Sequence, residues 1–463
     1  MRPIPSLTRS LRVFFIAATC LITLYQSITH GAEEEKRLFT LQECVEIALQ
    51  NSSSVKKAEN SVRLQGVDLL KSYGQFLPKV SVSAGYTPLS VSRVYSNPAS
   101  GSVLTTRNEN VDLNLTTSLN LFNGFKDYAS LQSAINLREA SGFSLFRARQ
   151  TIAYDVTQSY YQVLLDTELL KIARENLLSS QDQLQLTERQ YEIGLKPVTD
   201  YYQQQAETAN DELSVIRAEN TLRSSTLELV RKLRVGNTEE IAVAEISIDA
   251  LTSLPSSVDP DSLVTLGLAN RTDLQSAVFS TEAAKWDVTG ASSQRYPTLD
   301  LAFSLNTLGY PYYETTAGTP HYPPLSDQLS DLLGYSLSIT LNWTLFDGFL
   351  TRYNVEQAKV NYLNEELDTA DLEHDIAIDI QLAVDNYSAA FTEIETAKQG
   401  LRAAEKAYET VKKKYDLGSA GFVEASTAKA TLVSARSEYS QAIYNLALQK
   451  NILDFATGIL TVE

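Results

Sequence analysis

Hydrophobic and polar positions alternate along four short segments of the chain. Val111, Leu113, Leu115, Leu119 and Leu121 are interleaved with Asp112, Asn114, Thr116, Ser118 and Asn120. Leu299, Leu301, Phe303 and Leu305 alternate with Asp300, Ala302, Ser304 and Asn306; Tyr335, Leu337, Ile339, Leu341 and Trp343 alternate with Ser336, Ser338, Thr340 and Asn342. Val80, Val82, Ala84 and Tyr86 make a weaker fourth case. A period of two sends successive side chains to opposite faces, so each segment predicts a strand of about ten residues, apolar on one face and polar on the other. Such strands suit a transmembrane barrel, and equally a half-buried hairpin of a soluble protein. Tyr86, Tyr95, Tyr310, Tyr312, Tyr313, Tyr322, Tyr335 and Trp343 gather at or beyond the strand ends, where membrane interfaces favour aromatic rings. Loops are expected at about Asn97 to Asn108 and Gly309 to Asp331.

A different period governs the rest. From Gly124 to Tyr191 the chain has no proline and is rich in Ala, Leu, Gln and Glu, which predicts one helix of ~100 Å. Val156, Val163, Leu170, Leu177, Leu184 and Tyr191 recur every seven residues, with Ser159, Asp166, Ala173, Ser180 and Thr187 three places after the first five. Ile380, Tyr387, Ile394, Leu401, Tyr408 and Tyr415 repeat the pattern, with Ala383, Ala390, Ala397, Ala404 and Val411 as companions. Large residues facing small ones at a sustained period of seven predict coiled-coil packing. Gly194 and Gly418 stop these helices, and return helices follow from about Val198 to Leu233 and Phe422 to Leu453.

The two halves are versions of one another. Ala48-Leu49-Gln50-Asn51 aligns with Gly267-Leu268-Ala269-Asn270 and Pro78 with Pro297 at an offset of 219, while Leu121-Phe122-Asn123-Gly124-Phe125 aligns with Leu345-Phe346-Asp347-Gly348-Phe349, and Gly194 with Gly418, at 224. The expected organisation is a first repeat over 33–235, a connecting segment over 236–259 and a second repeat over 260–463. Residues 1–32 read as a signal peptide: Arg2, Arg9 and Arg12, then an apolar run from Val13 to Leu24, then Thr29-His30-Gly31-Ala32. Lipidation of Cys20 is a poorer reading, because the apolar run continues past it.

Composition narrows the function. The net charge is −17, and cleavage after Ala32 would take three arginines and no acid, leaving −20. Phosphate backbones are repelled by such a chain, so nucleic-acid binding is excluded. Cys44, His321 and His374 are then the remaining soft ligands, too few and too scattered for a thiol, imidazole or zinc centre. Acids are plentiful but lie along regular helix faces, which does not make the paired carboxylates of a sugar-cleaving enzyme. No enzyme, cofactor or metal is expected. Four strands cannot close a barrel, since the smallest use about eight, so membrane strands would require several chains.

These features together resemble the TolC-like outer-membrane efflux and export ducts of Gram-negative bacteria. The resemblance covers nearly the whole mature chain. It rests on the duplicated order of helix, two strands, long helix, tip turn and helix; on Leu41-Gln42-Glu43-Cys44-Val45-Glu46-Ile47-Ala48-Leu49-Gln50-Asn51; on the Leu-Phe-x-Gly strand exits; and on the tips Arg189-Gln190-Tyr191-Glu192-Ile193-Gly194-Leu195 and Lys414-Tyr415-Asp416-Leu417-Gly418. It implies an α+β membrane protein in which three chains share a β-barrel and a periplasmic α-barrel. It also implies an outer-membrane duct serving a periplasmic adaptor and an inner-membrane pump, in efflux or type I secretion. A soluble periplasmic coiled-coil scaffold is the alternative.

The resemblance also assigns residues. Relatives narrow the periplasmic end with a pattern like Gly-x-Arg-x-x-x-Asp-x-x-Asp; here Gly418, Ala420, Glu424 and Thr427 stand in those places, so the Arg and the second acid are missing. Asp200 and Tyr415 match the partners of that Arg, and its absence implies a weaker closed state. Glu424 is expected to form an acidic ring, although an acid there also simply complements a helix dipole. Gly194, Leu195 and Gly418 are the implied adaptor-docking tips. Gly124 and Gly348 are read as architectural strand-to-helix turns, with Asn123 and Asp347 as helix N-caps.

Overall fold

The computed structural model describes residues 38–97, 101–235, 242–245, 259–318, 320 and 322–460. The signal peptide, His321 and much of the connecting segment lie outside them. The first half runs β1 (Leu38–Phe39), α1 (Leu41–Asn51), α2 (Ser53–Gly74), β2 (Lys79–Asn97), β3 (Ser102–Asn123), α3 (Lys126–Glu192) and α4 (Val198–Leu233). After β4 (Ala242–Val243), the second half runs α5 (Pro260–Asn270), α6 (Thr272–Ser292), β5 (Thr298–Thr315), α7 (Leu325–Asp331), β6 (Gly334–Asn342), α8 (Leu350–Asp416) and α9 (Phe422–Ala456).

The opening helix of each half is broken in two, at Ser52 and at Arg271, positions separated by the same 219 residues as the sequence match. Both residues leave helical geometry (ψ 124° and 115°) and both are buried. Ser52 Oγ accepts the Val55 N–H at 3.4 Å, which restarts the helix. Arg271 instead turns its guanidinium onto Asp273 at 2.6 Å and Asp379 at 3.4 Å.

The described residues form two compact units, each drawing on both halves: one from those within 38–51, 155–245 and 393–448, the other from those within 52–154, 259–392 and 449–460. In the first, heptad positions Val156, Val163, Leu170, Ser180, Thr187, Ile394, Ala404 and Tyr415 are buried. Tyr191, at the end of the same series, is exposed, because the helix stops there. A two-stranded parallel sheet, β1 with β4, is tied down by the Tyr160 hydroxyl, which lies 2.7 Å from the Ala244 carbonyl and 3.2 Å from that of Phe39.

The second unit holds a four-stranded antiparallel sheet ordered β2-β3-β5-β6. Its register stacks the four alternating segments in phase. Val82 pairs with Leu115, Leu115 with Leu305 and Leu305 with Tyr335; Phe303 pairs with Leu337 and Leu301 with Ile339. One residue along, Ser83, Asn114, Asn306 and Gly334 pair in turn, as do Ser81, Thr116, Ser304 and Ser336. Every apolar set therefore lands on one face and every polar set on the other. Val82 is 76% exposed and Ile339 66%, a degree of apolar exposure that water would penalise and lipid would not.

Two expected loops are corrected. Residues 102–108 belong to β3, and β5 continues to Thr315 with α7 occupying Leu325–Asp331. Alternation marks only the stretch that faces two different media, whereas the hydrogen-bond ladder of β2 and β3 continues beyond it through Ser90–Asn108 and Tyr95–Val103. Helix α7 covers the edge of β5 past the end of β6. Its buried Gln328 accepts from the Tyr310 N–H at 2.8 Å and donates to the Tyr310 carbonyl at 3.1 Å, standing in for a missing strand.

Candidate functional site

Both tips are built alike. At the end of α3 the Leu195 N–H donates to the Gln190 carbonyl at 2.8 Å and the Gly194 N–H to that of Tyr191 at 2.9 Å; at the end of α8 Ser419 donates to Lys414 at 2.8 Å and Gly418 to Tyr415 at 3.0 Å. This paired closure needs a left-handed residue, which Gly194 (φ +78°) and Gly418 (φ +74°) provide. Ile193, Leu195 and Leu417 are exposed around them, giving each tip an apolar end.

Just inside the tips lies a mixed cluster. Tyr415 is buried, its ring meeting Phe422 edge-on at 6.5 Å. Lys196, from the first tip, places its ammonium 3.8 Å from the centre of that ring and 3.9 Å from the Asp200 carboxylate. Burial, and then the negative charge of Asp200, push the Tyr415 phenol above its usual range. Position 420 carries no arginine for Asp200, but Lys196 supplies a cation in its place. The cation comes from position 196 on the other hairpin rather than from position 420, and it bridges Asp200 and Tyr415. No spacing rule in the family pattern pointed to Lys196; its position four residues before Asp200 was the available signal.

A second layer sits deeper. Lys429 of α9 reaches Glu207 at 3.4 Å and Asp211 at 3.2 Å, both on α4, and Asp211 also accepts from Asn176 of α3 at 2.8 Å. Gln204 donates to the buried Ser180 hydroxyl at 3.2 Å. Glu424 is exposed in the first turn of α9 and has no ion pair among the described residues.

The strand exits are also a matched pair. Gly124 (φ +69°) and Gly348 (φ +68°) are followed by Phe125 and Phe349, again left-handed at φ +70° and +71°. Phe122 meets Phe125 edge-to-face at 5.4 Å and Phe346 meets Phe349 at 5.6 Å. Asn123 Oδ1 accepts from the Asp127 N–H at 3.2 Å, and Asp347 from the Thr351 N–H at 2.7 Å.

Elsewhere the chemistry is quiet. Burial pushes the Cys44 thiol up to about 12, and His374 is exposed. Among the described residues no group of three or more His, Cys, Asp or Glu is placed to hold a metal ion, and no helix is long and apolar enough to cross a membrane.

The sequence profile described as "Outer membrane efflux protein" matches residues 44–233 and 263–459. The chain belongs to that family. It is 22% identical over 446 residues to the outer membrane protein TolC of Escherichia coli K12, covering 90% of this chain and 86% of TolC. It is likewise 22% identical over 428 residues to the outer membrane efflux protein BepC of Brucella suis biovar 1, covering 90% and 84%. In fold it matches the outer membrane protein VceC of Vibrio cholerae with a TM-score of 0.77 at 18% identity, covering 90% of this chain and 96% of VceC. The open-state outer membrane channel MtrE of Neisseria gonorrhoeae matches with 0.72 at 17% identity, covering 90% and 88%. The protein is an outer-membrane efflux duct, and the soluble-scaffold alternative is set aside. Its relatives are channels rather than enzymes.

Proposed function

We propose that three copies of this chain close one 12-stranded barrel and continue it as a helical barrel into the periplasm. Substrates would pass through it from an inner-membrane pump and a periplasmic adaptor, with no chemistry performed by the duct. The observation that carries this reading is the sheet register, which leaves an apolar face exposed and the outer edges of β2 and β6 unpaired within the chain. An open edge in lipid is prohibitive, and pairing β6 with β2 of the next copy removes it. That pairing also brings α8, which follows β6, against the next copy's α2, which precedes β2. Tyr353, Val360, Leu363 and Leu367 are exposed on α8, and Leu64, Val67, Leu70 and Tyr73 on α2, which supports a helix seam continuing the sheet contact.

Within that assembly Glu424, Asp200 and Tyr415 form the periplasmic aperture, Glu424 as a ring of like charges favouring cations. The exposed tips at Gly194, Leu195 and Gly418 receive the adaptor. Residues 1–32 are the signal peptide, and 33–235 and 260–463 are repeats joined by 236–259. Single-channel conductance in a planar bilayer, comparing wild type with Glu424→Ala, tests the duct and the ring together. A cation-preferring conductance that loses its preference in the variant is expected. Conductance indifferent to the substitution would discard the ring, and the absence of channels from a folded preparation would discard the duct.

A further inference from the structure

Above its apolar belt, the same sheet face changes character. Along β3 the belt runs from Leu121 to Val111, about 33 Å of strand, or a height of about 25 Å at the tilt usual in membrane barrels. Beyond Val111, away from the helices, the residues of the same parity are Glu109, Arg107, Thr105 and Val103. The register sets Arg107 opposite Val91 on β2 and Glu314 on β5, sets Glu109 opposite Tyr312, and sets Arg93 opposite Thr105. Arg93 and Arg107 are therefore diagonal neighbours on one face, about 13 to 20 Å of strand past the belt.

Both arginines are exposed and neither has an ion pair among the described residues. They are the sole Lys or Arg residues between Val80 and Asn123 or between Thr298 and Asn342, in a chain of net charge −17. The two acids on this face are occupied by phenols: Tyr86 donates to Glu109 at 3.1 Å and Tyr312 to Glu314 at 2.7 Å. Tyr86 and Tyr312 stand on the face of the arginines, opposite Val111 and Glu109, whereas Tyr313 pairs with Asn108 and stands on the other face. Guanidinium forks bind phosphate, aromatic faces stack on sugar rings, and Glu–Tyr pairs accept and donate to sugar hydroxyls.

We propose that this face binds the phosphorylated sugar headgroup of a membrane glycolipid, with Arg93 and Arg107 taking the phosphate and the Tyr86–Glu109 and Tyr312–Glu314 pairs the sugar. The site rests on the membrane reading of the sheet, because that reading sets this face toward the headgroup layer rather than the lumen. The lipid itself, rather than a free phosphate, is the ligand, since the site is continuous with the apolar belt that would hold acyl chains.

The test uses the purified full-length protein in detergent, titrated with diphosphoryl lipid A and followed by native mass spectrometry. Saturable binding is expected, weakened at least about 20-fold in Arg93→Gln/Arg107→Gln at roughly fivefold per arginine, and largely kept in Arg93→Lys/Arg107→Lys. Phosphatidylglycerol, which has the phosphate without the sugar, should bind at least tenfold more weakly, and inorganic pyrophosphate should not compete at millimolar concentration. Equal binding by wild type and the Gln variant, equal binding of phosphatidylglycerol, or displacement by pyrophosphate would each overturn the proposal. Conductance of the same preparations separates the two readings: channels without lipid discrimination sink this site and keep the duct, whereas a preparation that neither conducts nor enters bilayers sinks the duct.

Discussion

The Lys196 ammonium lies over the Tyr415 ring at 3.8 Å, joining two tips whose chain positions are more than 200 residues apart. With Asp200 at 3.9 Å on its other side, this lysine is the cation that joins the acid and the ring of the proposed aperture. A cation–π contact of this kind is worth about 1 to 2 kcal/mol when partly desolvated. Lys196→Met is therefore expected to raise single-channel conductance or open probability severalfold, with Lys196→Arg close to wild type. An unchanged conductance in Lys196→Met would remove Lys196 from the closure.

The deeper Lys429 layer is predicted to matter for stability. Removing the lysine leaves Glu207 and Asp211 facing each other without their shared cation, and breaking a largely buried pair costs about 3 kcal/mol. Lys429→Met should lower the midpoint of chemical denaturation accordingly, and Lys429→Met/Asp211→Asn should recover part of the loss. A double variant no more stable than the single one would contradict this account.

The two strand exits offer an internally controlled comparison. Alanine at Gly124 or Gly348 meets the same left-handed penalty of about 1 kcal/mol. A Cβ at Gly124, however, would also collide with the Ser293 carbonyl, whereas at Gly348 it meets nothing within 4 Å. Gly124→Ala should thus be the more damaging of the two by at least about 1 kcal/mol, read as the difference between their denaturation midpoints.

Acid sensitivity should trace in part to Asp273. Burial works to raise its pKa, but the hydrogen bonds from Arg271 and the charge of Arg147 hold the carboxyl below its ordinary value. A depressed folded pKa contributes stability above the unfolded value of about 3.9 and loses it as pH falls through the folded value. The advantage of wild type over Asp273→Asn in thermal midpoint should be constant from pH 7 to about 5 and shrink below about 4. An advantage that grew on acidification would reverse the sign and refute the assignment.

Much of this architecture was legible because it is local. Helix α3 begins two residues after Gly124 and ends two before Gly194, since glycine in a left-handed conformation stops a helix whatever surrounds it. The heptad in α8 was readable for the same reason, each turn repeating the demand of the last. What misled was also local: the Pro- and Gly-containing stretch from Asn97 to Asn108 lacks alternation, yet most of it is strand, because a paired backbone needs a partner rather than a pattern.

By itself the sequence determined the elements, the duplication and the two-faced character of the strands, because backbone geometry converts periods of two and seven directly into faces. Tertiary structure decided everything that depends on which distant segments meet. It set the register that brings Val82, Leu115, Leu305 and Tyr335 into one row. It gave Asp200 a partner in Lys196 while setting that lysine over Tyr415 of the other hairpin, and it used Gln328 to finish the edge of β5. Those choices turn on hydrogen bonds and charges satisfied across tens or hundreds of residues, and no local period encodes them.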